Sequence, residues 1–235
     1  MKRPIFALAL LGLAFGAAAR DNDHARWEPD IQAFEAADKA SPPPEHAVLF
    51  VGSSSIRMWT SLATDFPTYR TINRGFGGSD MDDATAFADR IVKPYRPVAI
   101  VVYAGDNDLE GGDSPVTVRD DFAAFVAKVR KDEPEVPIAF ISIKPSVARA
   151  NLLAQVAEAN RLIRDWSMQQ KGVAFLDVAP AMLDKNGQPR PDLFIEDGLH
   201  MNPKGYALWV AQVRPWLADH ATGAEVKQTP NATTK

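Results

Sequence analysis

Four short polar segments stand at the ends of apolar runs, and their residue types suit acyl transfer. Asp197-Gly198-Leu199-His200 places a carboxylate three residues before an imidazole. In that spacing the carboxylate can hold one ring nitrogen while the other takes a proton from a distant hydroxyl. Far upstream, Gly52-Ser53-Ser54-Ser55 offers the hydroxyl, where a buried apolar run gives way to a turn. Gly52 lets the chain bend sharply. Ser54 falls at or near a helix N-terminus, where its own N–H and the helix dipole favour developing negative charge. Between these lie Asn73-Arg74-Gly75-Phe76-Gly77-Gly78 and Gly105-Asp106-Asn107-Asp108. A bare glycine N–H from the first and the Asn107 amide from the second can complete an oxyanion hole.

Each segment has a plainer use. Any of the three serines can cap a helix, so the register of the hydroxyl stays open, with Ser55 the alternative to Ser54. Ile56 stands where the nucleophile elbow G-x-S-x-G needs its second glycine, and there is no Gly-Lys pair for a phosphate-binding loop. Of the four histidines (His24, His46, His200 and His220), only His200 combines a carboxylate three residues earlier with a Gly- and Pro-rich loop. Asp106-x-Asp108-x-Glu110-Gly111 resembles the first half of a calcium loop, but position 12 is Thr117 instead of the bidentate glutamate.

The chain has 235 residues, 46% of them hydrophobic and 24% charged, with a formal net charge of −4. That is ordinary globular composition, with no basic stripe for nucleic acid and no polybasic arm for an anionic membrane. There is no cysteine, which removes thiol nucleophiles, zinc-thiolate sites and disulfides. Lys2 and Arg3 precede an apolar run from Ile5 to Phe15, and Ala17-Ala18-Ala19 follows as a cleavage signal. Residues 1–19 are therefore expected to be a signal peptide, giving a secreted or periplasmic protein without stable membrane insertion after cleavage.

The elements that must position these groups alternate. After a short helix over Ile31–Ala40, Pro42-Pro43-Pro44 makes a stiff spacer. Strands are predicted at 47–51, 69–73, 97–103, 136–143 and 173–177. Helical spacing follows at 55–59, 80–95, from Ser114-Pro115 onward, at 148–170, and from Asn202-Pro203 to about Leu217. Strands alternating with helices argue for a parallel sheet covered on both faces, and ligands then bind at its carboxyl rim. One domain over 45–220 follows, with 20–44 as helix and spacer and 221–235 as a polar, disordered tail. Trp59 fits the core, and the Lys144-Pro145-Ser146 loop can shape a pocket.

Taken in order, these blocks resemble the SGNH hydrolases, also called GDSL-type esterases and lipases, and their spacing is similar to the platelet-activating-factor acetylhydrolase-like branch. The resemblance runs from about Ala47 to Trp216. It implies a three-layer α/β/α flavodoxin-like fold with a five-stranded parallel sheet in the order 2-1-3-4-5. It implies Ser54 as nucleophile, Asp197 and His200 as its partners, and Ser54, Gly78 and Asn107 as oxyanion donors, with no metal or organic cofactor. One position departs: Ser53 stands where the family usually has Asp before the nucleophile. A secreted member implies short acyl or acetyl esters of carbohydrates or similar alcohols. A lysophospholipase or thioesterase of the same family and an inactive carbohydrate-binding protein are the alternatives. Oligomeric state is not written in the sequence.

Overall fold

The computed structural model describes residues 24–226. The expected signal peptide, residues 1–19, and residues 227–235 lie outside the described residues. A 3-10 turn at His24–Trp27 leads into α1 (Glu28–Ala40). Then come β1 (Val48–Gly52), α2 (Ser54–Arg57), α3 (Leu62–Asp65) and β2 (Thr71–Gly75). The chain continues through α4 (Met81–Ala86), α5 (Ala88–Ile91), β3 (Ala99–Tyr103), α6 (Asp106–Glu110) and α7 (Pro115–Val129). It ends with β4 (Ile138–Ile141), α8 (Leu153–Ser167), β5 (Val173–Leu176) and α9 (Pro203–His220).

The five strands form one parallel sheet in the order β2-β1-β3-β4-β5. β1 and β3 are wholly buried, as strands covered on both faces must be. Alternate residues feed two cores. Leu49, Val51, Ile100, Val102 and Phe140 pack with the apolar sides of α1, α4, α5, α7 and α8. Val48, Phe50, Val101, Tyr103 and Ile141 pack with α2, α3 and α9. Trp59 belongs to the second core, where it is 1% exposed and stacks on Tyr206.

Several boundaries differ from the sequence reading. The helix expected over 80–95 is stepped into α4, α5 and a 3-10 turn, with buried Phe87 at the step. β2 starts at Thr71, because Tyr69 instead bridges Glu225. For residues 221–226, that bridge departs from the expected disordered tail. Residues 221–226 lie along the chain that enters β2: Arg70 N–H donates to Ala224 O and Val226 N–H to Thr68 O, both at 2.8 Å. Ala221 and Ala224 are fully buried, small enough to close the end of the second core.

The carboxyl end of β1 is unusually tight. Gly52 has φ +145°, and a Cβ there would lie 1.8 Å from the Tyr103 carbonyl oxygen on β3. No side chain fits, and no small movement relieves a clash with backbone. Gly52→Ala is expected to destabilise the fold by more than about 3 kcal/mol. Gly112→Ala is the control, since Gly112 also has positive φ (+98°) but opens into free space. It should cost only about 1–2 kcal/mol of backbone strain. Urea unfolding of both variants checks this; equal losses would show that φ alone, and not the Tyr103 contact, demands glycine at 52.

Candidate active site

The four polar segments meet at the carboxyl rim of the sheet. Ser54 is the first residue of α2. Its Oγ lies 2.9 Å from His200 Nε2, and His200 Nδ1 lies 2.6 Å from Asp197 Oδ2. The three serines of the run differ in burial and in what their hydroxyls meet. Ser53 and Ser55 are 0% and 1% exposed, with hydroxyls turned away into the protein, so only Ser54 meets the imidazole. Tyr206 on α9 donates to Ser55 O at 2.9 Å, tying the start of α2 to the helix that follows His200.

The Asp197–His200 loop holds itself. Asp197 Oδ1 accepts from the N–H groups of Leu199 (2.8 Å) and His200 (2.9 Å), leaving Oδ2 for the ring. Burial works to raise the Asp197 carboxyl, but the His200 ring and these N–H donors overcome it and bring its pKa down to about 2. Gly198 supplies φ +64° at the turn, and its carbonyl accepts from Ala148 N at 3.0 Å. At the end of the loop, Asn202 caps α9 by accepting from Lys204 and Gly205 N–H.

The oxyanion candidates face the same rim. Gly78 has φ +81°, and the space its Cβ would need is taken by the Trp27 indole at 3.2 Å. Asn107 lies in the short helix α6. Its Nδ2 donates to Ser79 O at 2.9 Å, next to Gly78. Its Oδ1 accepts from Arg149 Nη2 at 3.0 Å. The Ser54 and Gly78 N–H groups and the second Nδ2 proton of Asn107 have no acceptor among the described residues.

The aspartates around Asn107 are engaged within the protein. Asp106 is buried against Lys144 Nζ at 2.5 Å. Burial works to raise its carboxyl, but the Lys144 and Arg149 charges prevail and hold its pKa below the ordinary value. Asp108 accepts from Gly105 N and Met81 N at 2.9 Å each, strapping α6 to α4. Burial, followed by the Asp80 charge, pushes the Asp108 carboxyl up to about 8 against these donors.

Sequence reasoning missed the N-terminal contacts and Arg149. His24, which lacks the carboxylate and loop context of His200, bonds Asp83 at 2.7 Å, and Trp27 Nε1 donates to the same carboxylate at 2.7 Å. Arg149 sat inside what reads as a helical stretch. The break there is real, since α8 starts only at Leu153, but no local residue signals it. The Lys144-Pro145-Ser146 loop reaches the site through Lys144, which is 1% exposed and bonded to Tyr103 OH and Asp106.

The family model described as GDSL-like Lipase/Acylhydrolase family matches residues 50–208. No curated protein matches the chain. Among solved structures, the chain is similar to a Streptococcus pneumonia protein provisionally described as a platelet activating factor. The two are 21% identical with TM-score 0.73, over 82% of this chain and 94% of that one. A GDSL-like lipase from Bacteroides thetaiotaomicron is 18% identical, TM-score 0.69, over 81% and 98%. A carbohydrate esterase family 3 protein from Talaromyces cellulolyticus is 20% identical, TM-score 0.60, over 73% and 96%. At these identities the likeness speaks to the fold.

The depressed Asp197 pKa has a kinetic consequence. A carboxyl held at about 2 stays ionised until the pH falls close to that value. Down to about pH 3.5, then, Asp197 is expected to add no proton uptake of its own to the acid limb of the activity profile. Log kcat/KM against pH should fall with unit slope on the acid side. A second break to slope two above about pH 3.5 would show that Asp197 is not held in its charged form.

Proposed function

The chain belongs to the GDSL-like lipase/acylhydrolase family and is a carboxylic ester hydrolase of the SGNH fold, and we propose that it works through an acyl-enzyme on Ser54. The observation that carries this reading is the unbroken relay from Ser54 Oγ through His200 to Asp197. Ser54 Oγ attacks the acyl carbonyl as His200 Nε2 takes its proton. The Ser54 and Gly78 N–H groups and Asn107 Nδ2 stabilise the oxyanion. His200 then protonates the leaving alcohol, and water releases the acyl group by the same steps in reverse. Asp197 fixes the tautomer and stabilises the imidazolium throughout. None of these steps calls on a metal or organic cofactor.

The substrate reading is a small acyl group, acetyl above all, on a carbohydrate or similar polar alcohol. A groove of about 340 Å³ between the segments that follow Ser54 and His200 supports it, lined by Met58, Thr60, Ser61, Ile195, Met201 and Tyr206. Its mix of hydroxyls and short apolar groups suits a polar alcohol better than a long lipid chain. A carbohydrate esterase on the same fold agrees with that class. Among the described residues no helix is long and apolar enough to cross a membrane. The signal-peptide character of residues 1–19 supports action outside the cytoplasm, and N-terminal sequencing of the exported protein tests it.

Hydrolysis of p-nitrophenyl acetate, butyrate and octanoate tests the rest. Wild type should prefer acetate to octanoate. Ser54→Ala should lose at least about 10³-fold in kcat, while Ser55→Ala stays within about threefold of wild type. A fluorophosphonate should label wild type and not Ser54→Ala. Activity surviving in Ser54→Ala would overturn the nucleophile, and octanoate preferred over acetate would overturn the substrate class. No turnover together with no labelling would leave only carbohydrate binding.

A further inference from the structure

Asn107 sits where its amide can turn either way, and only one orientation presents an N–H to an oxyanion. Two contacts fix that orientation. Nδ2 donates to Ser79 O at 2.9 Å, and Oδ1 accepts from Arg149 Nη2 at 3.0 Å. The first contact uses one Nδ2 proton and leaves the other for the site. The second matches a full positive charge to the carbonyl end of the amide, and a flipped amide would turn its NH₂ against that charge.

Arg149 is itself held from behind. Nη1 lies 3.4 Å from Asp106 Oδ2 and Nε lies 3.7 Å from Glu110 Oε2. Lys144 Nζ takes the same Asp106 oxygen at 2.5 Å, so that carboxylate is shared between the two cations. Lys144 in turn donates to Tyr103 OH at 3.0 Å and is anchored at the end of β4. The Arg149 side chain is only 15% exposed, so its rotamers are few. A charge bonded to Oδ1 also polarises the amide and strengthens the N–H at its other end.

We propose that Arg149 is a positioning residue of the oxyanion hole, acting through Asn107 to hold its amide toward the reacting carbonyl and to sharpen its donor. The inference rests on the proposed role of Asn107 in ester hydrolysis. The same short segment reaches the acid–base loop too, since Ala148 N–H donates to Gly198 O at 3.0 Å. One stretch thus touches both the oxyanion donor and the loop that carries the imidazole. Nothing in the local sequence marks Arg149 for this; its contacts come from residues 39–43 positions earlier.

A double-mutant cycle on p-nitrophenyl acetate tests the proposal with Arg149→Met, Asn107→Ala and the pair. An interaction present mainly in the transition state lowers kcat and leaves KM nearly fixed. Asn107→Ala should cost roughly 10²–10³ in kcat. Arg149→Met should cost about 10–100-fold in kcat, with KM changed less than about threefold. The pair should be no worse than Asn107→Ala alone, within about threefold, because Arg149 has nothing left to position. Arg149→Lys should recover part of the loss, since an ammonium can still reach Oδ1, and it replaces Arg149→Met in the cycle should that variant fail to fold. Losses that multiply in the pair, or a loss confined to KM, would overturn the proposal. Asn107→Ala with full activity beside a dead Ser54→Ala would instead sink the oxyanion role of Asn107, and Arg149's role with it.

Discussion

Between the last residue of β1 and the first of α2 the chain must turn within the width of a sheet. It does so because Gly52 carries no side chain against the Tyr103 carbonyl. The contact keeps β1 in register with β3 to its final residue, Gly52 opposite Tyr103. Ser53 N–H then takes the Tyr103 carbonyl at 3.1 Å, and the next residue begins a helix. A Cβ at 52 would push β1 from β3 at the point where Ser54 must rise to meet His200. The rest of the rim is referenced to this turn. Phe76 N–H takes the Gly52 carbonyl at 2.9 Å, which places the Gly77-Gly78 turn against the same strand end.

The electrostatics of the rim follow from giving each carboxylate one task. Asp197 spends one oxygen on backbone N–H groups and the other on the ring, so it stays ionised while half exposed. Asp106 is buried and ionised, which is tolerable only because Lys144 and Arg149 share it. Asp108 is buried and serves as a strut between α6 and α4, with burial pushing its carboxyl up against the two N–H groups it accepts. Beside Asn107, Lys144 and Arg149 face the buried Asp106 and the more exposed Glu110, and it is the Arg149 guanidinium that bonds the Asn107 amide, at Oδ1.

Much of this was legible in the sequence, where the signal was local and periodic. Five apolar runs gave five strands, and the ordered blocks gave both the family and the sheet order. The helix caps at Ser114 and Asn202 were legible because a cap is a contact over two or three residues. Which serine meets the imidazole was not, since that contact comes from His200, 146 positions away. The step at Phe87 was hidden because the apolar spacing continues through it. Arg149 was hidden because an arginine in a helical stretch looks like a solvated one until its partners arrive from α6.

The N-terminal segment was read as helix and spacer, and the structure gives it a larger part. His24, Arg26 and Trp27 all reach the carboxylate of Asp83, which is 3% exposed. A carboxylate so placed is costly unless its lone pairs are filled, and the Asp80 N–H completes the set at 3.0 Å. Asp83 stands in the first turn of α4, just beyond the loop that carries Gly78. The Trp27 ring that bonds Asp83 also lies over Gly78 and edge-on to Phe76. The family match begins at residue 50, yet the packing that steadies the Gly78 turn begins at His24. Physically, the hydrolase domain therefore includes the segment before its first strand.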